Sequence, residues 1–273
     1  METSKNNPLN VPMAIVIAGL LIAGALFLRG GSGALSLPAE VRQPTVMQPP
    51  PMLGAITLRP IDATRDHIRG NPNANVVFVE FSDTECPFCK RFHVTMQQVM
   101  SEYGKSGKVA WVYRQYPIVG LHSKAPKESE ATECAYELGG NGKFWEYLDQ
   151  VFEKTNSNDS LDPAMLPRIA TNIGLNETAF NDCLSSGRQK PRVDADYADG
   201  SGAGVNGTPH SILVLKDPIS EGDRKTLLSL YQPYGDPRTG ELPVAFSLDG
   251  LRVSVNGALP YQIIKSTIDT LLK

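Results

Sequence analysis

The sequence has 273 residues and a mass of 29.6 kDa, with 41% apolar and 20% charged side chains, which allows one large core or two small ones and excludes a disordered chain. A formal net charge of -3 and an isoelectric point near 5.9 exclude the broad basic field of a dedicated nucleic-acid binder. With 21 Pro and 24 Gly the chain fits a globular body plus one irregular linker, and its four Cys are the most informative residues.

Residues Val11 to Leu28 are uncharged throughout, about 27 Å as a helix against a hydrocarbon core of about 30 Å. Lys5 precedes this stretch and Arg29 follows it, an asymmetry too weak to fix orientation. Apolar on every face and followed by Gly30-Gly31-Ser32-Gly33 and Gln48-Pro49-Pro50-Pro51, the stretch reads as an anchor and linker and not as a core helix. A cleaved secretory signal is the alternative, with a poor cleavage site between Gly30 and Ser36. The expected organisation is a cytoplasmic N-terminus (1–10), a transmembrane anchor (11–28), a linker (29–55) and a body (56–273).

The body opens with a short apolar run from Ile56 and a turn at Gly70-Asn71-Pro72-Asn73. Val76 to Phe81 then reads as a buried strand. After Cys86-Pro87-Phe88-Cys89 comes a helix with the apolar stripe Cys89, Phe92, Met96, Val99 and Tyr103, and Lys108 to Tyr116 reads as a second strand. Strand, helix and strand in this order imply a parallel pair with a right-handed crossover. Helices are expected at Lys127 to Leu138, Phe144 to Lys154, Pro163 to Ile173 and Glu177 to Ser186, within an insertion of about 117–205. Strands return at Ser211 to Leu215 and Leu251 to Val255, separated by an extra segment of about 217–248 with a helix at Arg224 to Tyr231 and then turns, and the last helix is Tyr261 to Leu272. The order β, β, α, β, helical block, β, β, α predicts an α/β domain with an all-helical insertion.

A C-x-x-C beside a βαβ pattern reads as a redox dithiol. Cys86 takes the N-cap position and Pro87 the first helical one, where its missing N–H costs nothing. Unpaired backbone N–H groups and the positive end of the helix dipole favour a thiolate at Cys86, while Cys89, one turn on, is placed to be shielded and to resolve a mixed disulfide. A dipole contribution of at most about 2 kcal/mol lowers a thiol pKa by roughly 1.5, so any deeper shift needs specific hydrogen bonds. Phe88 supplies neither charge nor donor to Cys86.

Five segments together resemble the DsbA-like thiol:disulfide oxidoreductases of the thioredoxin superfamily: Phe81-Ser82-Asp83-Thr84-Glu85-Cys86-Pro87-Phe88-Cys89, Glu133-Cys134-Ala135, Gly142-Lys143-Phe144-Trp145, Gly207-Thr208-Pro209 and Val255-Asn256-Gly257-Ala258. The resemblance runs in order through the body and lacks a counterpart for 217–248. It implies a thioredoxin fold with a helical insertion, and oxidation of thiols in exported proteins outside the cytoplasm. It also implies that Glu80 is a buried acid beneath the dithiol and that Thr208 leads into a cis-proline, Pro209, facing the cysteines. A lone carboxylate within Val-Phe-Val-Glu-Phe is expensive to bury, and burial would raise its pKa so that it relays the Cys89 proton. A strand-edge Glu facing water and an ordinary trans proline are the plain alternatives.

The C-x-x-C must pair internally to work, which leaves Cys134 and Cys183 as a structural bridge or as two buried thiols. Some members of the resembled family carry a second disulfide in this region. Gly202 to Gly207 spells G-x-G-x-x-G but follows helical sequence and precedes a strand, the reverse of a nucleotide site. His93 reads as a packing or surface residue, and His210 is only weakly placed near the dithiol.

The expected activity is a membrane-anchored protein disulfide oxidoreductase without cofactor or metal, acting on reduced exported proteins and reoxidised by a quinone-linked membrane oxidase of the DsbB type. An isomerase or reductase of the same fold is the first alternative. A thioredoxin-like module holding a metal on its four cysteines is the alternative from another class. The expected location is the cell membrane, single-pass, with the catalytic domain extracytoplasmic.

Overall fold

The computed structural model describes residues 56–273; the expected anchor and linker lie outside the described residues. Val76 to Ser82 (β2) and Val109 to Gln115 (β3) pair in parallel, joined by the helix Pro87 to Tyr103 (α1) and a short 3₁₀ turn. Every residue of β2 and β3 is buried, the polar Glu80, Arg114 and Gln115 included, as in strands covered on both faces. α1 buries Cys89, Phe92, His93, Met96 and Val99 against the sheet, and Tyr103, the last of the expected stripe, is only partly buried.

His67 to Gly70 (β1) pairs antiparallel with β3. This strand replaces the apolar run at Ile56, which is buried but unpaired as strand. Its sequence, His-Ile-Arg-Gly, has no apolar alternation, and only the neighbouring strand makes it extended.

The insertion begins with Ala125 to Lys154 (α2), two helical segments, as expected, that meet at a kink at Gly140 (φ 72°), a left-handed conformation that glycine tolerates. Met165 to Asn172 (α3) and Glu177 to Ser186 (α4) follow, the latter capped by Asn176, whose side chain accepts the Ala179 N–H at 2.9 Å.

Lys190 to Gly202 (α5) was not anticipated. It has no apolar stripe, because its inward positions are Val193, Asp196 and Gly200. Asp196 and Asp199 bind Arg59 and the buried Arg114, which also grips Asp66 through Nε (3.0 Å) and Nη2 (2.9 Å). Ion pairs therefore dock a helix that hydropathy would leave in solvent. Gly200 is required there, since a Cβ would stand 2.7 Å from the Phe81 ring.

His210 to Leu215 (β4) lies antiparallel to β2, and Arg252 to Asn256 (β6) antiparallel to β4. The extra segment between them holds a helix, Glu221 to Tyr231 (α6), and also a strand, Val244 to Phe246 (β5), where only turns were expected. β5 is three residues long and extends the sheet beyond β6, giving the order β1-β3-β2-β4-β6-β5. The last helix is Tyr261 to Leu271 (α7).

Candidate active site

β2 ends and α1 begins at the dithiol. Cys86 has extended backbone (φ -76°, ψ 122°), its N–H bonds the Asp83 carbonyl at 3.2 Å, and Pro87 opens the helix. Both cysteines are thiols. Cys86 retains 5% exposure and Cys89 none, so an incoming sulfur can reach only Cys86.

The thiol of Cys86 donates to the Thr208 carbonyl at 3.4 Å, and the Thr208–Pro209 peptide is cis. The Pro209 carbonyl accepts the Gly257 N–H at 2.9 Å, which pins the loop ahead of β4 beside the dithiol. Gly202 ends α5, and the residues up to Gly207 lead into this turn, with Ala203 and Val205 packed in the core and the Val205 carbonyl accepting the Tyr116 hydroxyl at 2.8 Å.

Hydrogen bonding from the Cys89 thiol, against the cost of burial, lowers the Cys86 thiol to about 6, helped by the Thr208 hydroxyl and by the backbone N–H groups of Phe88 and Cys89. Burial pushes the Cys89 thiol well above its ordinary value, and its sulfur accepts the Asp83 N–H at 3.4 Å. Glu80, on the central strand β2, is fully buried. Loss of hydration raises its carboxyl to about 7 despite the Trp111 indole N–H at 2.9 Å, and Cys89 feels its charge.

Phe88 is 53% exposed, so the dipeptide presents an apolar face at the opening. Two further exposed apolar residues, Val119 and Leu121, lie on the loop after β3, which Asp83 tethers by accepting the Ile118 N–H at 2.7 Å.

Residues without a role in the sequence reading complete the surroundings. Asp83 is fully buried and accepts the N–H groups of Glu85 (2.8 Å) and Ile118 and the Nδ1–H of His122 (2.9 Å). Glu85 accepts the Thr155 hydroxyl at 3.0 Å and the Leu161 N–H at 3.1 Å, and burial beside it raises the Glu128 carboxyl to about 8. The insertion returns the contact: Ser157, Asn158 and Asp159 have φ of 67°, 55° and 63°, and the Asn158 N–H bonds the Glu85 carbonyl at 2.8 Å. Three successive left-handed non-glycine residues are held open against the residue that precedes Cys86. Asp83 and Glu85 sat inside the quoted motif, but nothing in the sequence linked His122 to them.

The two remaining candidate histidines are occupied elsewhere. His93 is buried and donates to Asp149 at 2.7 Å, so it serves packing. His210 shares a hydrogen bond of 2.6 Å with Ser254, and burial pushes its imidazole down to about 4. Cys134 on α2 and Cys183 on α4 form a disulfide with Cα atoms 5.8 Å apart, so these two sulfurs are not part of the dithiol site. Among the described residues no group of three or more His, Cys, Asp or Glu is arranged to hold a metal ion, and no helix is long and apolar enough to cross a membrane.

The thioredoxin family model matches residues 62–220, more than half of the chain. In fold, the chain is similar to oxidised BdbD of Bacillus subtilis (18% identity, 81% of this chain and 100% of BdbD, TM-score 0.59). It is also similar to DsbA2 of Pseudomonas aeruginosa (20% identity, 78% of this chain and 97% of that one, TM-score 0.55). Curated relatives include the Na(+)/H(+) antiporter NhaA 1 of Mycolicibacterium gilvum, 32% identical over 165 residues covering 60% of this chain and 25% of the relative. Another is the Na(+)/H(+) antiporter NhaA 3 of Salinispora tropica, 36% identical over 152 residues covering 55% of this chain and 22% of that relative. The chain thus spans about a quarter of the length of these curated relatives. It belongs to the thioredoxin family and carries the DsbA-like form of that fold, a parallel βαβ unit with a dithiol at the helix N-terminus and a helical insertion ahead of a cis-proline.

Proposed function

We propose that the chain is a thiol:disulfide oxidoreductase that introduces disulfides into exported proteins. The observation that carries this reading is the asymmetry of the dithiol: Cys86 is reachable and acidified, whereas Cys89 is sealed and held protonated. In the oxidised enzyme a client thiolate attacks Cys86 Sγ, the Cys86–Cys89 bond breaks, and Cys89 leaves with the bonding pair and takes a proton that Glu80 is placed to relay. A second client thiolate then attacks the client sulfur of the mixed disulfide and expels Cys86 as thiolate. The client loses two electrons and the dithiol gains them. Thr208 and Pro209 present backbone to the client beside Cys86, and Phe88, Val119 and Leu121 offer it apolar contact.

Thiolate stabilisation favours the reduced dithiol and so makes the disulfide oxidising. A thiol at about 6 gains about 1.4 kcal/mol at pH 7 over one still protonated, about 30 mV for a two-electron couple. Equilibration with glutathione buffers should place the potential between about -120 mV, the DsbA value, and about -270 mV, the thioredoxin value. A potential at or below the thioredoxin value overturns the oxidase reading in favour of a reductase, and an isomerase would be recognised by rescue of scrambled clients with the dithiol kept reduced.

The same proposal places the body outside the cytoplasmic membrane, anchored in lipid through residues 11–28 and reoxidised by a quinone-linked membrane oxidase of the DsbB type. The apolar stretch and the Cys134–Cys183 bridge, which suits an oxidising compartment, support it. Protease added to intact spheroplasts should digest the body, and full protection would overturn this topology. Ion transport forms no part of the proposal, because the chain spans only about a quarter of the antiporter-named relatives.

A further inference from the structure

The helix that carries the dithiol gives Cys86 no cation. Pro87 has no N–H and Phe88 no charge. The Lys90 ammonium is turned to the carbonyls of Glu153 and Thr155, and the Arg91 guanidinium lies over the Phe88 ring at 5.2 Å. The loop between β3 and α2 brings an imidazole instead, that of His122. The carboxylate of Asp83 accepts the Nδ1–H of His122 at 2.9 Å, and the carbonyl of the same Asp83 accepts the Cys86 N–H at 3.2 Å. One residue therefore holds both the backbone of the attacking cysteine and an imidazole.

Burying the Asp83 carboxylate is costly without a counter-charge, and among the described residues His122 is its one ionic partner. Nδ1 is committed to Asp83, which leaves Nε2 without a hydrogen-bond partner among the described residues and free to carry the second proton. His122 contacts Asp83 at the end of β2, and the negative charges that bear on it are those of Asp83, of Cys86 at the start of α1 and of Asp159 in the loop after α2. Burial opposes the imidazolium, but these three acidic groups together hold its pKa above the ordinary value. Behind Asp83, Glu85 is anchored by backbone and hydroxyl donors, and Glu128, with a carboxyl near 8, is neutral at pH 7.

We propose that His122, held as an imidazolium by Asp83, is the charge partner that stabilises the Cys86 thiolate, supplying from the β3–α2 loop the cation that the Pro87-Phe88 dipeptide lacks. His122 acts here as a positioning residue for the reaction proposed above, and the assignment rests on Cys86 being the attacking sulfur.

The test uses the full-length protein in two ways. In the reduced protein, thiolate absorbance in the far ultraviolet should titrate near pH 6 in the wild type, and about a pH unit higher in His122→Asn, which keeps a donor to Asp83 but loses the charge. At pH 7 the glutathione equilibrium should shift about fivefold toward the disulfide, about 20 mV. His122→Lys, which restores charge without the ring, should recover part of the loss. The second measurement needs no variant: by reciprocity, the ring protons of His122 should titrate about a pH unit higher in the reduced protein than in the oxidised one. Unchanged titration in His122→Asn, or an identical His122 titration in both redox states, overturns the proposal. If Cys86→Ser and not Cys89→Ser accumulates mixed disulfides, the attacking role of Cys86 falls and this proposal with it. If Cys89→Ser accumulates them while both His122 measurements stay flat, only the His122 assignment falls.

Discussion

Cys86 and Cys89 lie where β2 meets α1, among Asp83, Glu80, Thr208 and Pro209, whereas Cys134 and Cys183 join α2 to α4 inside a cluster of Ala131, Ala135, Tyr147 and Phe180. The first pair is surrounded by groups that titrate and by backbone donors, which make its two sulfurs unequal. The second pair lies in an apolar cluster, with the Glu137 carboxylate 4.0 Å from Cys183 Sγ, and neither cysteine is exposed, so no incoming thiolate reaches it. Surroundings, and not the sulfur chemistry, separate a reactive dithiol from a structural bridge.

The comparison breaks most sharply at the first pair. Cys86→Ser should lower exchange at least about a thousandfold, while Cys89→Ser should accumulate mixed disulfides with clients, visible on non-reducing gels. The reverse pattern would exchange the two roles. Neither change is expected to follow from mutating the bridge.

The complementary perturbation removes the second pair. Replacing Cys134 and Cys183 together with Ala opens a loop with a sequence separation of 49. This should cost about 4 kcal/mol of stability in denaturant unfolding, on the chain-entropy account. The potential of the Cys86–Cys89 couple should stay within a few millivolts. A large change in potential would show that the two regions are coupled.

Glu80→Gln tests the acid beneath the dithiol. With a carboxyl raised from 4.5 to about 7, the folded protein keeps its proton to higher pH than the unfolded chain does. The ionisation penalty is therefore absent below about 4.5, grows between 4.5 and 7, and is complete above 7. The Gln variant should be more stable than the wild type by up to about 3 kcal/mol above pH 7, a gain that vanishes in acid. Its release of client should slow more than the initial attack, and equal slowing of both steps would argue against the relay.

The smallest effects concern poise. The wild-type potential should fall by about 59 mV per pH unit below the Cys86 pKa of about 6 and by about 30 mV per pH unit above it, because the reduced form then binds one proton fewer. Phe88→His should make the couple more oxidising by some tens of millivolts. An unchanged potential would show that the dipeptide position contributes nothing beyond what backbone donors and the surrounding groups already supply.

Local pattern and spacing carried much of this protein. The apolar run at Val76 to Phe81, the stripe from Cys89 to Val99 and the Cys-Pro-Phe-Cys motif predicted a strand, a helix and a dithiol at its N-terminus, since period and capping are properties of contiguous residues. What escaped was fixed by partners distant in sequence. β1 is extended because β3 pairs with it, and β5 because β6 does. α5 docks through Arg59 and Arg114, which no periodicity of its own residues reveals. The same limit holds at the site. The sequence placed Cys86, Cys89, Glu80 and Pro209 in one region through resemblance, but the meeting of Asp83 with His122, 39 positions later, arises only when the β3–α2 loop folds over the end of β2. Local backbone preference decides where elements form, whereas a buried charge takes as partner whatever group the fold brings within hydrogen-bonding distance.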